Sequence, residues 1–160
     1  MKVLAISGSL GPDSANLRLL KTAATLVPPS VSFEIFDGLG DLPFFRPDIE
    51  PSDVPASVKR FRQALSDCDV VLIASPEYGH SLPGVLKNAL DWVISSGELY
   101  RKRVAVTASA PAPGRGERGL AALCAVLRAV DARIIGGDPI ARGPEADEEL
   151  AALLEAALSD

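Results

Sequence analysis

Five short apolar runs recur along the chain: KVLAIS at 2–7, VSFEIF at 31–36, DVVLIAS at 69–75, RVAVTAS at 103–109 and ARIIG at 132–136. Each is too short for a helix, and the stretches between them carry apolar residues at helical spacing. The run at 69–75 constrains the fold most. It is near-continuous and β-branched, as a central strand covered on both faces must be. Helices are expected over 15–26, 54–67, 84–96, 120–130 and 145–158. Ser14 or Asp13 is placed to cap the first, whose apolar stripe reads Leu17, Leu20, Ala24 and Leu26 or Val27. The prolines at 28 and 29 end it. Strand and helix alternate throughout, which predicts an α/β fold: a doubly wound sheet of five parallel strands in the order 2-1-3-4-5, with right-handed crossovers and helices on both faces. A chain of 160 residues suits one such domain over its whole length.

Ligands of open parallel sheets bind beyond the carboxyl ends of the strands, at the point where strand order reverses. Three loops on that edge, 9–16, 76–83 and 109–119, are rich in Gly, Pro and Ser. The first, SLGPDSAN, opens a helix, where free backbone N–H groups and the helix dipole favour an anion. Ser9, Ser14 and Asn16 are able to donate to a phosphate there, although the same residue types also serve as plain helix caps. The loop is neither a GK[ST] phosphate loop nor a G-x-G-x-x-G fingerprint. No basic residue stands between Lys2 and Arg18. In the second loop Pro76, Glu77, Tyr78, Gly79 and His80 offer a wall for a planar ring and backbone donors for its edge. His80, the only histidine, reads as a surface or packing residue rather than a catalyst. The third loop sets Gly114, Gly116 and Gly119 beside Arg115 and Arg118, which either meet a nucleotide phosphate or stay solvated. The long segment 37–53, with Phe44, Phe45 and Arg46, has no periodicity and is expected to cover a site or touch a second subunit.

Charge and cysteine content narrow the classes further. A net charge of −5 argues against a broad basic surface for nucleic acid. The acids gather in PEADEELAALLEAALSD, which reads as the solvated face of a last helix. Cys68 and Cys124 lie far apart and, with one histidine, do not make a zinc set; two free thiols and no metal are expected. No apolar stretch approaches membrane-spanning length and the start shows no leader pattern, so a soluble cytoplasmic protein is expected.

GSLGPDSAN followed by SPEYGHSLPGVLKNALDW closely resembles the NADPH-dependent FMN reductase family, whose fold is flavodoxin-like and whose members reduce flavins, quinones, chromate and azo compounds. The similarity of pattern covers nearly the whole chain. The resemblance implies an enzyme with FMN as cofactor and NADPH or NADH as co-substrate. Hydride would pass from the nicotinamide to flavin N5 and then to a small-molecule acceptor, in ping-pong turnover without a dedicated acid or base. It implies that Ser9, Ser14 and Asn16 bind the FMN phosphate, that Pro76, Glu77, Tyr78, Gly79 and His80 line the ring and ribityl region, and that Ser109 and the loop containing Gly114 close the other side. It also implies a homodimer or a tetramer. The family pattern often reads Ser-Leu-Arg where this chain has Ser9, Leu10 and Gly11, and often has asparagine where Gly79 stands. Two other readings stay open: an FMN electron-transfer protein without nicotinamide activity, and a binding module that has lost tight flavin binding.

Overall fold

The structure, a computed structural model, describes residues 1–49 and 51–159. Ten main elements alternate: β1 Lys2–Ser7, α1 Ala15–Leu26, β2 Ser32–Ile35, α2 Ala56–Asp67, β3 Val70–Ala74, α3 Gly84–Asp91, β4 Arg103–Ala110, α4 Glu117–Ala129, β5 Arg133–Ala141 and α5 Ala146–Leu158. The strands form one parallel sheet in the order β2-β1-β3-β4-β5, as expected. Every residue of β3 is buried, which matches its unbroken apolar run.

Side chains alternate across each strand and so feed two cores. Val3, Ala5, Val70, Leu72 and Ala74 pack under α1 and α5 with Leu20, Ala23, Leu150 and Leu154. Leu4, Ile6, Val71 and Ile73 pack on the other face with Phe61, Leu86, Leu120 and Leu127. The acids opening α5, Asp147, Glu148 and Glu149, are exposed and lie at the favourable end of its dipole. No helix among the described residues is long and apolar enough to cross a membrane.

Several boundaries differ from expectation. The buried face of α1 is Asn16, Leu20 and Ala23, not the stripe through Leu17 and Ala24, and Ser14 holds the cap position without a side-chain capping bond. Helix α3 stops at Asp91 rather than 96. The Trp92 carbonyl, which a continuing helix would give to residue 96, accepts from Arg62 Nε at 3.1 Å and Nη2 at 2.6 Å. Helix α4 starts at Glu117, three residues early. Strand β5 runs on to Ala141 past a register shift, with Pro139 tolerated because the strand is an edge. Segment 37–53 includes single 3-10 turns at Leu39–Asp41 and Pro51–Asp53; Glu50, within it, lies outside the described residues, as does Asp160.

Candidate functional site

The first loop leaves β1 at Gly8, whose N–H donates to the Ala74 carbonyl at 2.8 Å. A Cβ there would lie 3.0 Å from Ser75 Oγ and 3.1 Å from its Cα, so only glycine lets the loop cross β3 this closely. Ser7, buried, accepts the Ser9 N–H at 3.3 Å and donates to the Ser9 carbonyl at 3.0 Å. Ser9 Oγ in turn accepts the Gly11 N–H at 3.3 Å. The loop is thus shaped by its own serines, and the N–H groups of Ala15, Asn16 and Leu17 open α1 without intrahelical acceptors.

Asn16 is only 4 % exposed, and its Oδ1 accepts the Ser109 N–H at 2.9 Å. Half of its side chain therefore ties α1 to the end of β4. Its Nδ2 has no hydrogen-bond partner among the described residues and is not sealed from solvent.

The second loop is a two-residue hairpin. Tyr78 and Ser81 exchange both backbone bonds, at 2.9 and 3.0 Å, around Gly79 at φ 57° and His80 at φ 62°. Two left-handed residues in succession make the primed turn that suits a twisted hairpin. Gly79 and His80 form its exposed tip. Tyr78 is 56 % exposed, and its hydroxyl lies 3.5 Å from Ser9 Oγ.

Glu77 does something the sequence reading missed. Its Oε2 accepts the N–H of Gly119, in the first turn of α4, at 2.9 Å, while Oε1 lies 3.1 Å from His80 Nδ1. Gly116 at the cap position has no side chain to offer, so a distant carboxylate caps α4 instead. The Gly119 N–H, then His80, hold the Glu77 carboxyl below its usual range. Gly119 also has to be glycine, since a Cβ would meet Glu77 Cα and Cβ at 2.9 Å.

The three loops are therefore joined in pairs: first to second by Ser9 and Tyr78, first to third by Asn16 and Ser109, second to third by Glu77 and Gly119. Between the second and third lies a cleft of about 270 Å³, walled by Pro76, Glu77, Ser109, Ala110, Arg115 and Gly116. A second hollow of about 300 Å³ joins Glu77 and His80 to Gly114, Arg115 and Arg118. Ser14 Oγ makes no hydrogen bond among the described residues. A larger hollow of about 530 Å³ lies at the opposite edge of the sheet, among Cys68, Tyr100, Arg101 and Arg133, and takes in none of the predicted site residues. Among the described residues no three His, Cys, Asp or Glu side chains gather as a metal set.

Segment 37–53 comes to the same edge. Asn88 Oδ1 accepts the Phe45 N–H at 2.8 Å, and the Pro43 carbonyl accepts from Asn88 Nδ2 at 3.0 Å and Trp92 Nε1 at 2.8 Å. A Cβ on Gly40 would sit 3.3 Å from Leu10 of the first loop.

Comparison with known proteins places the chain among flavin and quinone reductases. The family described as NADPH-dependent FMN reductase matches residues 1–144. An NAD(P)H-dependent FMN reductase of Pseudomonas aeruginosa is 45% identical over 92 residues, 58% of this chain and 49% of that protein. A 2-hydroxy-1,4-benzoquinone reductase of a Burkholderia species is 45% identical over 92 residues, with the same coverage. The chain spans about half the length of the curated relatives it matches. Among solved structures, a flavoenzyme NAD(P)H:(acceptor) oxidoreductase from Paracoccus denitrificans superposes with a TM-score of 0.78 at 25% identity, covering 98% of this chain and 96% of that one.

Proposed function

The chain belongs to the NADPH-dependent FMN reductase family, and on that premise we propose that it binds FMN at the three joined loops and uses NADPH or NADH to reduce a small organic acceptor, a quinone or a free flavin. The observation that carries this reading is the pairwise joining of the three loops beside a cleft lined by Pro76, Ala108, Ala110, Pro111 and Gly116 together with Glu77, Ser109 and Arg115. Such walls let a flat ring approach main-chain donors closely.

The residues present fit the group. The free N–H groups of α1, Asn16 Nδ2, Ser9 and Ser14 make an anion cradle for the phosphate. Pro76, the backbone of Glu77 to His80, Tyr78, Ser109 and Gly114 border the ring. The Glu77 carboxylate acts as the brace that sets the spacing of the second and third loops, rather than as a ligand. When bound, FMN supplies the hydride chemistry itself. The chain's part is to hold the ring with one face open, and to place backbone N–H dipoles near its edge, where negative charge develops. The Tyr78 hydroxyl beside Ser9, and Arg115 and Arg118, which line the hollow next to the cleft, are placed to meet a second nucleotide. The name of the Burkholderia relative, a 2-hydroxy-1,4-benzoquinone reductase, supports a quinone acceptor, and that of the Pseudomonas relative, an FMN reductase, supports a free flavin.

An absorbance spectrum of the purified protein with added FMN tests the reading. Flavin bands that bleach anaerobically on adding NADPH or NADH are the expected result. Bound flavin that no nicotinamide reduces would replace it with an electron carrier, and no flavin binding at all would overturn it.

A further inference from the structure

A phosphate monoester carries between one and two negative charges at neutral pH, yet the first loop brings no cation of its own between Lys2 and Arg18. A hollow of about 220 Å³ opens against the first turn of α1 on its α5 side, and its lining includes Ala15, Arg18, Ser109, Arg142 and Asp147. Ala15 is the first residue of α1 and Ser109 is the residue held by Asn16, so this hollow shares a wall with the phosphate cradle. Arg142 follows directly on β5, and its N–H donates to the Ala110 carbonyl at 3.0 Å, which fixes its base beside the third loop. Arg18 folds back over the first loop and donates from Nη1 to the Asp13 carbonyl. Among the described residues neither guanidinium has a carboxylate partner.

We propose that Arg18 and Arg142, converging from α1 and the end of β5, form a phosphate subsite that supplies the positive charge missing from the first loop. The proposal rests on the flavin reading above. The planar guanidinium fork matches phosphate oxygens in a way no hydroxyl does, and both groups reach the hollow from backbone anchored on either side of it. Asp147 on the same wall limits the field they produce. Arg115 and Arg118 line a different hollow, beside the hairpin, and are free to serve a nicotinamide nucleotide instead.

Titration with FMN and, in parallel, with riboflavin, which lacks the phosphate, separates the possibilities. Arg142→Ala is expected to weaken FMN about tenfold and leave riboflavin unchanged. Arg18→Ala should act in the same sense, and Arg142→Lys should recover part of the loss. The salt dependence of FMN binding should become shallower in both alanine variants. Unchanged FMN affinity in both alanine variants overturns the proposal, as does an equal loss for FMN and riboflavin. A rise in KM for NADPH but not NADH, with FMN affinity intact, also overturns it. If the unaltered protein binds neither flavin, the flavin reading fails before the arginines are in question.

Discussion

A Cβ at Gly11 would lie 3.6 Å from Ser9 Oγ and 4.0 Å from Ser14 Cβ, ordinary contact distances. The residue has no positive φ, so an arginine fits there without strain. Gly11→Arg is expected to tighten FMN binding about tenfold, read by quenching of flavin fluorescence. In Arg142→Ala the gain should be larger, because both changes act on one phosphate and so should not add. No gain in either background would mean that the phosphate charge is already met in full. Glu77 gives a second prediction. Its carboxyl is held below the usual range, chiefly by the Gly119 N–H. The folded state thus binds its proton less readily than the unfolded chain. The resulting stabilisation is fully present above the ordinary carboxylate range, and it is lost as pH falls through the lower, folded-state value. Glu77→Gln should lower the thermal midpoint at pH 7, and the gap to the unaltered protein should narrow on acidification below about pH 4, the normal glutamate value. An equal gap at both ends would mean that the charge on Glu77 does not matter.

Helix α4 shows how an element's start is hidden from a reading along the chain. Gly114, Gly116 and Gly119 look like loop throughout, because Gly disfavours a helix interior. The helix nevertheless begins at Glu117, because Glu77 in another loop satisfies its first turn. Strand order and the three loops of the site were legible because burial on both faces writes continuous apolar runs, while turns demand Gly and Pro. The face of α1 was not legible. Asn16 is polar, yet it is buried by its bond to Ser109, a partner that only the folded sheet brings near. The same holds for the end of α3, set by Arg62, and for Arg142, which no local pattern marks. Gly119→Ala tests the element directly. Its methyl would press on Glu77 Cα and Cβ at 2.9 Å, and overpacking of this kind costs about 1–3 kcal/mol. Urea denaturation should show that loss together with weaker FMN binding. Gly84→Ala in α3, where a Cβ meets nothing within 4 Å, should be neutral or stabilising.

At the scale of the whole molecule, segment 37–53 and the turn after α3 carry apolar surface that the described residues do not cover. Phe44 is 87 % exposed although its neighbour Phe45 is held by Asn88 and packs edge-on against Trp92, with ring centroids 5.2 Å apart. Ile94, two residues past Trp92, is 50 % exposed. The segment is fastened by four hydrogen bonds to α3 and Trp92, so Phe44 is presented from a fixed backbone rather than a loose one. A phenyl ring held out from a fixed backbone gains stabilisation when a partner buries it, and a second copy of the chain is the partner the family resemblance implies. Sedimentation at micromolar concentration is therefore expected to give a dimer or larger assembly. Phe44→Asp should shift it toward monomer without altering the far-ultraviolet spectrum. Asn88→Ala, which releases the Phe45 N–H and one donor to Pro43, should weaken assembly too and make the segment an early site of proteolysis. A single monomer mass for the unaltered protein would show that the ring is simply solvated.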